Sequence, residues 1–246
     1  MDFSVRRSVP GLFHALALGV TALVISAALG APAYAGDVTT GSVLKVAKAA
    51  IANQRGVHVV FVVSTSSSSN TEKITADVGR TSGLETISEG KANLAVEVTP
   101  TYAYVNGNSS GLTTIDGLSS AEAKKVGTNW VSWKAGTSQY SDLKSVVTIS
   151  SVTTVLPKAN GTKLSTHITT GTKLYVLKWT TAATSSSPKL SNTLSVSARG
   201  TTLPVKETAT ASGGTKVTTM FSKWGEHVIV SAPPSASTIS SSQVTG

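Results

Sequence analysis

The residues able to carry chemistry are few and scattered. Beyond the N-terminal segment there are three histidines, His58, His167 and His227, and none stands at i+2 or i+4 from another candidate ligand. Zinc coordination or general-base work needs convergent partners, so these read as ordinary surface or core histidines. The carboxylates Asp77, Glu85, Glu89, Glu97, Asp116, Glu122, Asp142, Glu207 and Glu226 form no pair that the sequence places across a substrate, and they read as solvated surface. Cysteine is absent, which removes disulfides, thiolate metal sites and an acylated N-terminal thiol together. Serine is abundant, yet Gly-x-Ser-x-Gly, Ser-x-x-Lys with its companion motifs and glycine-rich phosphate loops are missing. No catalytic residue, metal or cofactor is expected, and an enzyme is the least favoured class.

The aromatic residues carry more information because they are sparse. Phe61, Tyr102, Tyr104, Trp130, Trp133, Tyr140, Tyr175, Trp179, Phe221 and Trp224 are spread along the chain. Core packing accounts for aromatics in any domain. The sharper alternative is the wall of an apolar cavity, for which the inward-facing candidates are Val59, Phe61, Val63, Leu94, Val96, Tyr102, Tyr104, Trp130 and Trp133. A one-residue slip of register would exchange the faces of any of these strands.

The elements that would position them follow from periodicity. Val43, Val46, Ala47, Ala50 and Ile51 recur at helical spacing, and Gly56 is placed to stop that helix. The run from Val57 to Val63 is β-branched or aromatic on both alternating faces, which predicts a central strand covered on both sides. Ile74, Ala76 and Val78, then Leu94, Val96 and Val98, then Leu194, Val196 and Ala198 alternate with polar residues, the pattern of antiparallel strands with one face in a core and one wet. Asn106-Gly107, Asn160-Gly161, Arg199-Gly200 and Gly213-Gly214 mark turns, and Thr180 to Pro188 reads as a hairpin tip. Ser119 and Glu122 form a capping-box pattern ahead of a short helix ended by Gly127. Tyr140, Leu143 and Val147 have helical spacing after Thr137 or Ser138.

Residues 1–35 read as a secretory signal peptide. Arg6 and Arg7 supply its positive start, Leu16 to Leu29 its apolar run, and Ala33-Tyr34-Ala35 the small-x-small site before Gly36. The apolar run is short for a membrane span of about 20 residues, so cleavage by the general secretory route is expected in preference to retention as an anchor. One domain over residues 36–234 and a flexible tail over residues 235–246 complete the expected organisation. The chain has 21 Lys+Arg against 12 Asp+Glu, a net charge of +9, with only 13% charged residues. Such a thinly but positively charged surface suits an anionic membrane or an acidic polymer. Nucleic acid would call for clustered Lys/Arg with interleaved aromatics, and Lys124-Lys125 is the only adjacent basic pair after residue 35.

The order of features resembles the LolA-like envelope carriers, especially lipoproteins of the LppX and LprG type. The resemblance runs from Val38 to about Pro234. It is carried by the first helix around Val43 to Ala50, Val57-His58-Val59 directly after it, Tyr102 to Asn108, Gly117-Leu118-Ser119, Asn129-Trp130-Val131, Arg199 to Val205, and Lys223-Trp224-Gly225 followed by Ala232-Pro233. It implies an α+β fold: a strongly curved antiparallel sheet, an incomplete β-barrel, with a few short helices packed on its concave side over an apolar cavity. It also implies an exported, non-catalytic protein that binds a lipid or lipid-linked glycan and carries or presents it, with transient contact to an anionic membrane surface. The lipoprotein members keep a cysteine at the start of the mature chain, where this chain has Gly36, so a cleaved product would be soluble outside the cytoplasm. The alternatives are a secreted structural or adhesive β domain with a filled core, and an accessory domain that binds another envelope protein.

Overall fold

Alternating apolar and polar residues build twelve strands into a single curved sheet. The structure, a computed structural model, describes residues 38–65, 68–184 and 188–245. The signal-peptide segment and the middle of the Thr180 to Pro188 loop lie outside the described residues. In chain order the strands are β1 (Gly56–Thr65), β2 (Ser68–Gly79), β3 (Gly83–Glu89), β4 (Ala92–Val98), β5 (Tyr102–Gly107), β6 (Trp130–Lys134), β7 (Lys163–Thr169), β8 (Thr172–Thr181), β9 (Leu190–Ser197), β10 (Pro204–Ala211), β11 (Lys216–Ser222) and β12 (Thr238–Ser240). Their spatial order is β12-β6-β5-β4-β3-β2-β1-β11-β10-β9-β8-β7. Every neighbouring pair is antiparallel except β12 and β6, which run parallel.

Among the described residues five α-helices accompany the sheet: α1 (Thr40–Ala52), α2 (Ser120–Val126), α3 (Ser138–Val146), α4 (Ile149–Val152) and α5 (Ser241–Thr245), with a π-helical turn at Gly111–Ile115. Most of their buried apolar residues join those of one sheet face. Leu112, Ala123, Val126, Tyr140 and Leu143 meet Leu94, Val96, Val105 and Val131 on the β1–β6 half. Ala50, Ile51, Ile149 and Val152 meet Val57, Ala76, Val78 and Phe221. Val43 meets Tyr175, Leu177, Leu194 and Val196 on the β8–β9 half. The helices therefore share the concave side of the sheet, as the α+β expectation required. No helix among the described residues is long and apolar enough to cross a membrane.

Local chemistry fixes the helix ends. Thr39 caps α1 reciprocally with Ser42, and Arg80 closes its other end by donating to the carbonyls of Gln54 and Asn53 at 2.9 and 3.0 Å. Ser119 and Glu122 form the capping box that the sequence predicts for α2, and Thr137 caps α3. The helical pattern after Thr148 is brief: α4 gives way to a 3-10 turn at Thr153–Val155, where β-branched residues crowd the helix.

Three expectations need correction. β1 is central, but its second face is not sealed: His58, Val60 and Val62 there are only half-buried. Asn106-Gly107 is the end of β5 and no hairpin turn: the chain passes into the π-helical turn, where Gly111 lies so close to Asn93 that a Cβ would sit 1.9 Å from the Asn93 carbonyl oxygen. Gly213-Gly214 does turn β10 into β11, and further tight hairpins fall at Gly90-Lys91 and at Thr170-Gly171, where Thr170 and Gly171 both take positive φ. The tail is not free: β12 pairs with β6, α5 follows, and Val244 is 1% exposed within the core.

Candidate functional site

The register sorts the nine cavity candidates onto two faces, because directly opposed residues share a face. Glu207 opposes Leu194 and Thr219; Thr219 opposes Phe61; Phe61 opposes Ile74; and the row continues through Ile87 to Leu94. The adjoining rows carry Val59 with Phe221 and Ala76, reaching Val96, and Val63 with Val217. Val59, Phe61, Val63, Leu94 and Val96 thus share the concave face, and Trp133, paired with Ala103, joins them. Tyr102, Tyr104 and Trp130 do not. Tyr104 opposes Glu97 and Ser132 on the other face, and Trp130 belongs to the same side one pair further along. The Tyr102 and Tyr104 rings lie there with centroids 6.0 Å apart, tilted 30° to each other. The three aromatics alternate with Ala103, Val105 and Val131, and it is these smaller residues that enter the core.

Within the concave face, burial is uneven. Val57, Leu177 and Leu194 are fully covered at 0% exposure. Val59 and Val63 remain only partly buried, although they stand on a central strand and point to the side that carries the helices. Leu44 of α1, Val155, Leu156, Leu164 and Trp179 are likewise apolar and incompletely covered from the opposite half. A sheet face closed by well-fitted helices buries its central strands first. Partial accessibility at these residues leaves a seam of apolar surface on the concave side that the helices do not fully cover. What such a seam can do chemically is accept apolar atoms from outside the chain.

Two polar features stand apart from the seam. On the outer face, a shallow trough of about 430 Å³ runs between Lys73, Thr75, Thr86, Ser88, Asn93 and Asn106. At one end of β1 and β2, His58, Asp77 and Glu226 converge with ligand-type atoms within 4.8 Å of one another. This overturns the reading of dispersed histidines and carboxylates. The residues are far apart in sequence, and only the β1–β2 pairing, which sets His58 opposite Asp77, and the return of the chain after β11 bring them together. Gly225 donates to the Gly56 carbonyl at 2.8 Å and Ser82 donates to the Val228 carbonyl at 3.1 Å, so the segment carrying Glu226 straps across the sheet. Burial, then the charge of Asp77, pushes the Glu226 carboxyl up.

His58 Nδ1 and Asp77 Oδ1 share a hydrogen bond of 2.5 Å. Two donors held by one zinc ion at about 2.0–2.1 Å stand more than about 3 Å apart in a tetrahedral shell. The cluster is therefore built as a hydrogen-bonded tie, and it could hold a metal only after that bond opened.

No protein-family model and no curated protein matches the chain. Among solved structures, it is similar to LprF from Mycobacterium bovis, at 14% identity and a TM-score of 0.50, over 79% of this chain and 96% of LprF. LppX from Mycobacterium tuberculosis aligns at 16% identity and a TM-score of 0.48, covering 78% and 98%. A LolA superfamily protein from Nitrosomonas europaea aligns at 12% identity and a TM-score of 0.31. At these identities the likeness is one of fold. The open curved sheet with helices on its inner side is the feature shared with the LprF fold.

Proposed function

We propose that this chain is an exported, non-catalytic envelope protein that seats the apolar part of a lipid or lipid-linked glycan against its concave face and carries or presents it. The observation that carries the reading is the partial accessibility of Val59, Val63, Leu44, Leu156 and Trp179, apolar residues of the concave side that the helices leave incompletely covered while Val57, Leu177 and Leu194 are sealed. The fold shared with LprF supports it, because the resemblance of the sequence to that group implies lipid carriage. Apolar contact alone supplies enough affinity: burying about ten methylenes at about 0.8 kcal/mol each gains on the order of 8 kcal/mol before ordering costs.

Export follows from the N-terminal pattern, and the positive balance of the chain serves the approach to an anionic leaflet. In this mechanism the basic surface docks, acyl chains leave the bilayer for the seam, and the loaded protein departs. Native mass spectrometry of protein purified from a bacterial envelope tests the reading. Co-purifying lipid, released by organic solvent and regained from vesicles, is the expected result. A protein that is unliganded on purification and takes up no lipid afterwards would be a structural or protein-binding β domain.

A further inference from the structure

Of the carboxylates in the concave rows, Glu85 stands between Ala76 and Val96 and Glu207 on the other half of the sheet, and of the two it is Glu207 that keeps partial accessibility. Glu207 lies on β10 in the concave row Leu177–Leu194–Glu207–Thr219–Phe61–Ile74. Its sequence neighbours Lys206 and Thr208 point to the opposite face, so alternation leaves its side chain no route to the outer solvent. Among the described residues it forms no hydrogen bond or ion pair, and nothing but burial acts on its ionisation, which is pushed up to about 7. An unpaired acid packed among apolar side chains would be expensive, and native interiors rarely keep one.

The burial of Glu207 has a second aspect. The group is set deep within the fold, yet its side chain keeps partial accessibility, unlike Leu194 and Thr219 on either side of it. A deeply placed group that still exposes surface faces open space. Val59 and Val63, the partly covered residues of the seam, stand on β1 two strands away, across β11. Thr219 is Glu207's direct cross-strand partner, and Asn192 pairs with Ala209, one concave position further along β10. The Asn192 amide is already committed to Thr181 Oγ1 at 3.0 Å, which leaves the acid as the acceptor without a partner in this polar island.

Resting on the carrier reading above, we infer that Glu207 is the polar anchor of the ligand seat, and that the ligand is a lipid with a free hydroxyl near the junction of its acyl chains, which the Glu207 carboxyl binds while the seam takes the chains. A hydroxyl suits the position because it can donate to the carboxylate, or both donate to and accept from the neutral acid. A fully esterified lipid has no donor to offer the ionised carboxylate and can pair only with the neutral acid, so the preference for a free hydroxyl is read at pH 8 and above, where the carboxylate prevails.

The matched probes are 1,2-dioleoylglycerol and its 3-acetyl ester, which share acyl chains and differ at the hydroxyl. Each is offered in phosphatidylcholine vesicles to the delipidated full chain, and uptake is counted by native mass spectrometry. The wild type is expected to prefer the free hydroxyl by about tenfold, the equivalent of one hydrogen bond to a carboxyl group. Glu207→Leu should lose the preference while taking the acetyl ester at least as well as the wild type, since it removes an unpaired acid from an apolar face. Should the leucine variant fail to fold, Glu207→Ala, which adds no bulk to the face, gives the same readout. Equal uptake of both probes by the wild type, or an undiminished preference in the apolar variants, overturns the anchor and leaves carriage standing. If the wild type takes neither probe, the carrier reading fails and the anchor with it.

Discussion

The Glu207 carboxyl has a consequence for stability that needs no ligand. Burial raises it from the ordinary 4.5 to about 7, so the folded protein holds this proton more tightly than the unfolded chain. The contribution to stability is fully present below about pH 4.5, is lost as the pH rises through 7, and is constant above that. A shift of about 2.5 units corresponds to roughly 3 kcal/mol. Urea unfolding of delipidated protein should therefore find Glu207→Gln more stable than the wild type by about that amount at pH 8, and nearly equal to it at pH 4. A difference independent of pH would mean that the carboxyl ionises freely. The period-two alternation of Val205, Glu207, Ala209 and Ala211 already places the acid on the apolar side of its strand. Its charge argues for solvent when the sequence is read alone, and the conflict between the two signals is what marks a functional position. His58, Asp77 and Glu226 gave no such local signal, because pairing across β1 and β2 and a strap from the far side of β11 create their proximity.

At the scale of elements, what was legible followed from strong local chemistry, and what was not depended on tertiary contact. The spacing of Val43 to Ile51 and the Ser119–Glu122 box specify α1 and α2 without help from the rest of the chain. Tyr102, Tyr104 and Trp130 were misplaced because bulk and apolarity outweigh parity when a strand is short. Ala103 and Val105 take the inner side there because the helices approach closely, as the contact of Gly111 with Asn93 requires. The segment after Pro234 has a composition of disorder, yet two apolar residues suffice to dock it. Ile239 lies on the strand that pairs with β6, and Val244 enters the core, while Ser132 and Lys125 donate to the Ile239 and Val244 carbonyls at 3.2 Å each. Val244→Asp would put an unpaired charge at that point. It should lower the unfolding free energy by about 3 kcal/mol or more and release β12 from the edge of β6. The denaturant midpoint measures the first effect and amide exchange at Val131 to Trp133 the second. An unchanged midpoint would show the tail to be an ornament on the sheet.

On the carrier reading proposed above, docking and retention by the whole molecule rest on different forces, and this separates them experimentally. The chain's 21 basic residues against 12 acidic ones are spread along it without a dense cluster, so attraction to a membrane is a long-range, weakly patterned field. Salt screens such a field: the Debye length falls from about 10 Å at 0.1 M to about 3 Å at 1 M. Retention in the seam of Val59, Val63 and Trp179 is apolar and has no such sensitivity. Transfer of a fluorescent dioleoylglycerol from phosphatidylglycerol vesicles should therefore slow at least tenfold between 0.05 and 0.5 M salt, in keeping with electrostatic steering. Phosphatidylcholine vesicles should give a slow rate at every salt concentration. Lipid already bound should stay bound across the same range when the protein is followed by native gel or size exclusion. Transfer that ignored both salt and head group would separate the basic balance from function, and loss of bound lipid at high salt would place a charged group, not the apolar seam, at the centre of binding.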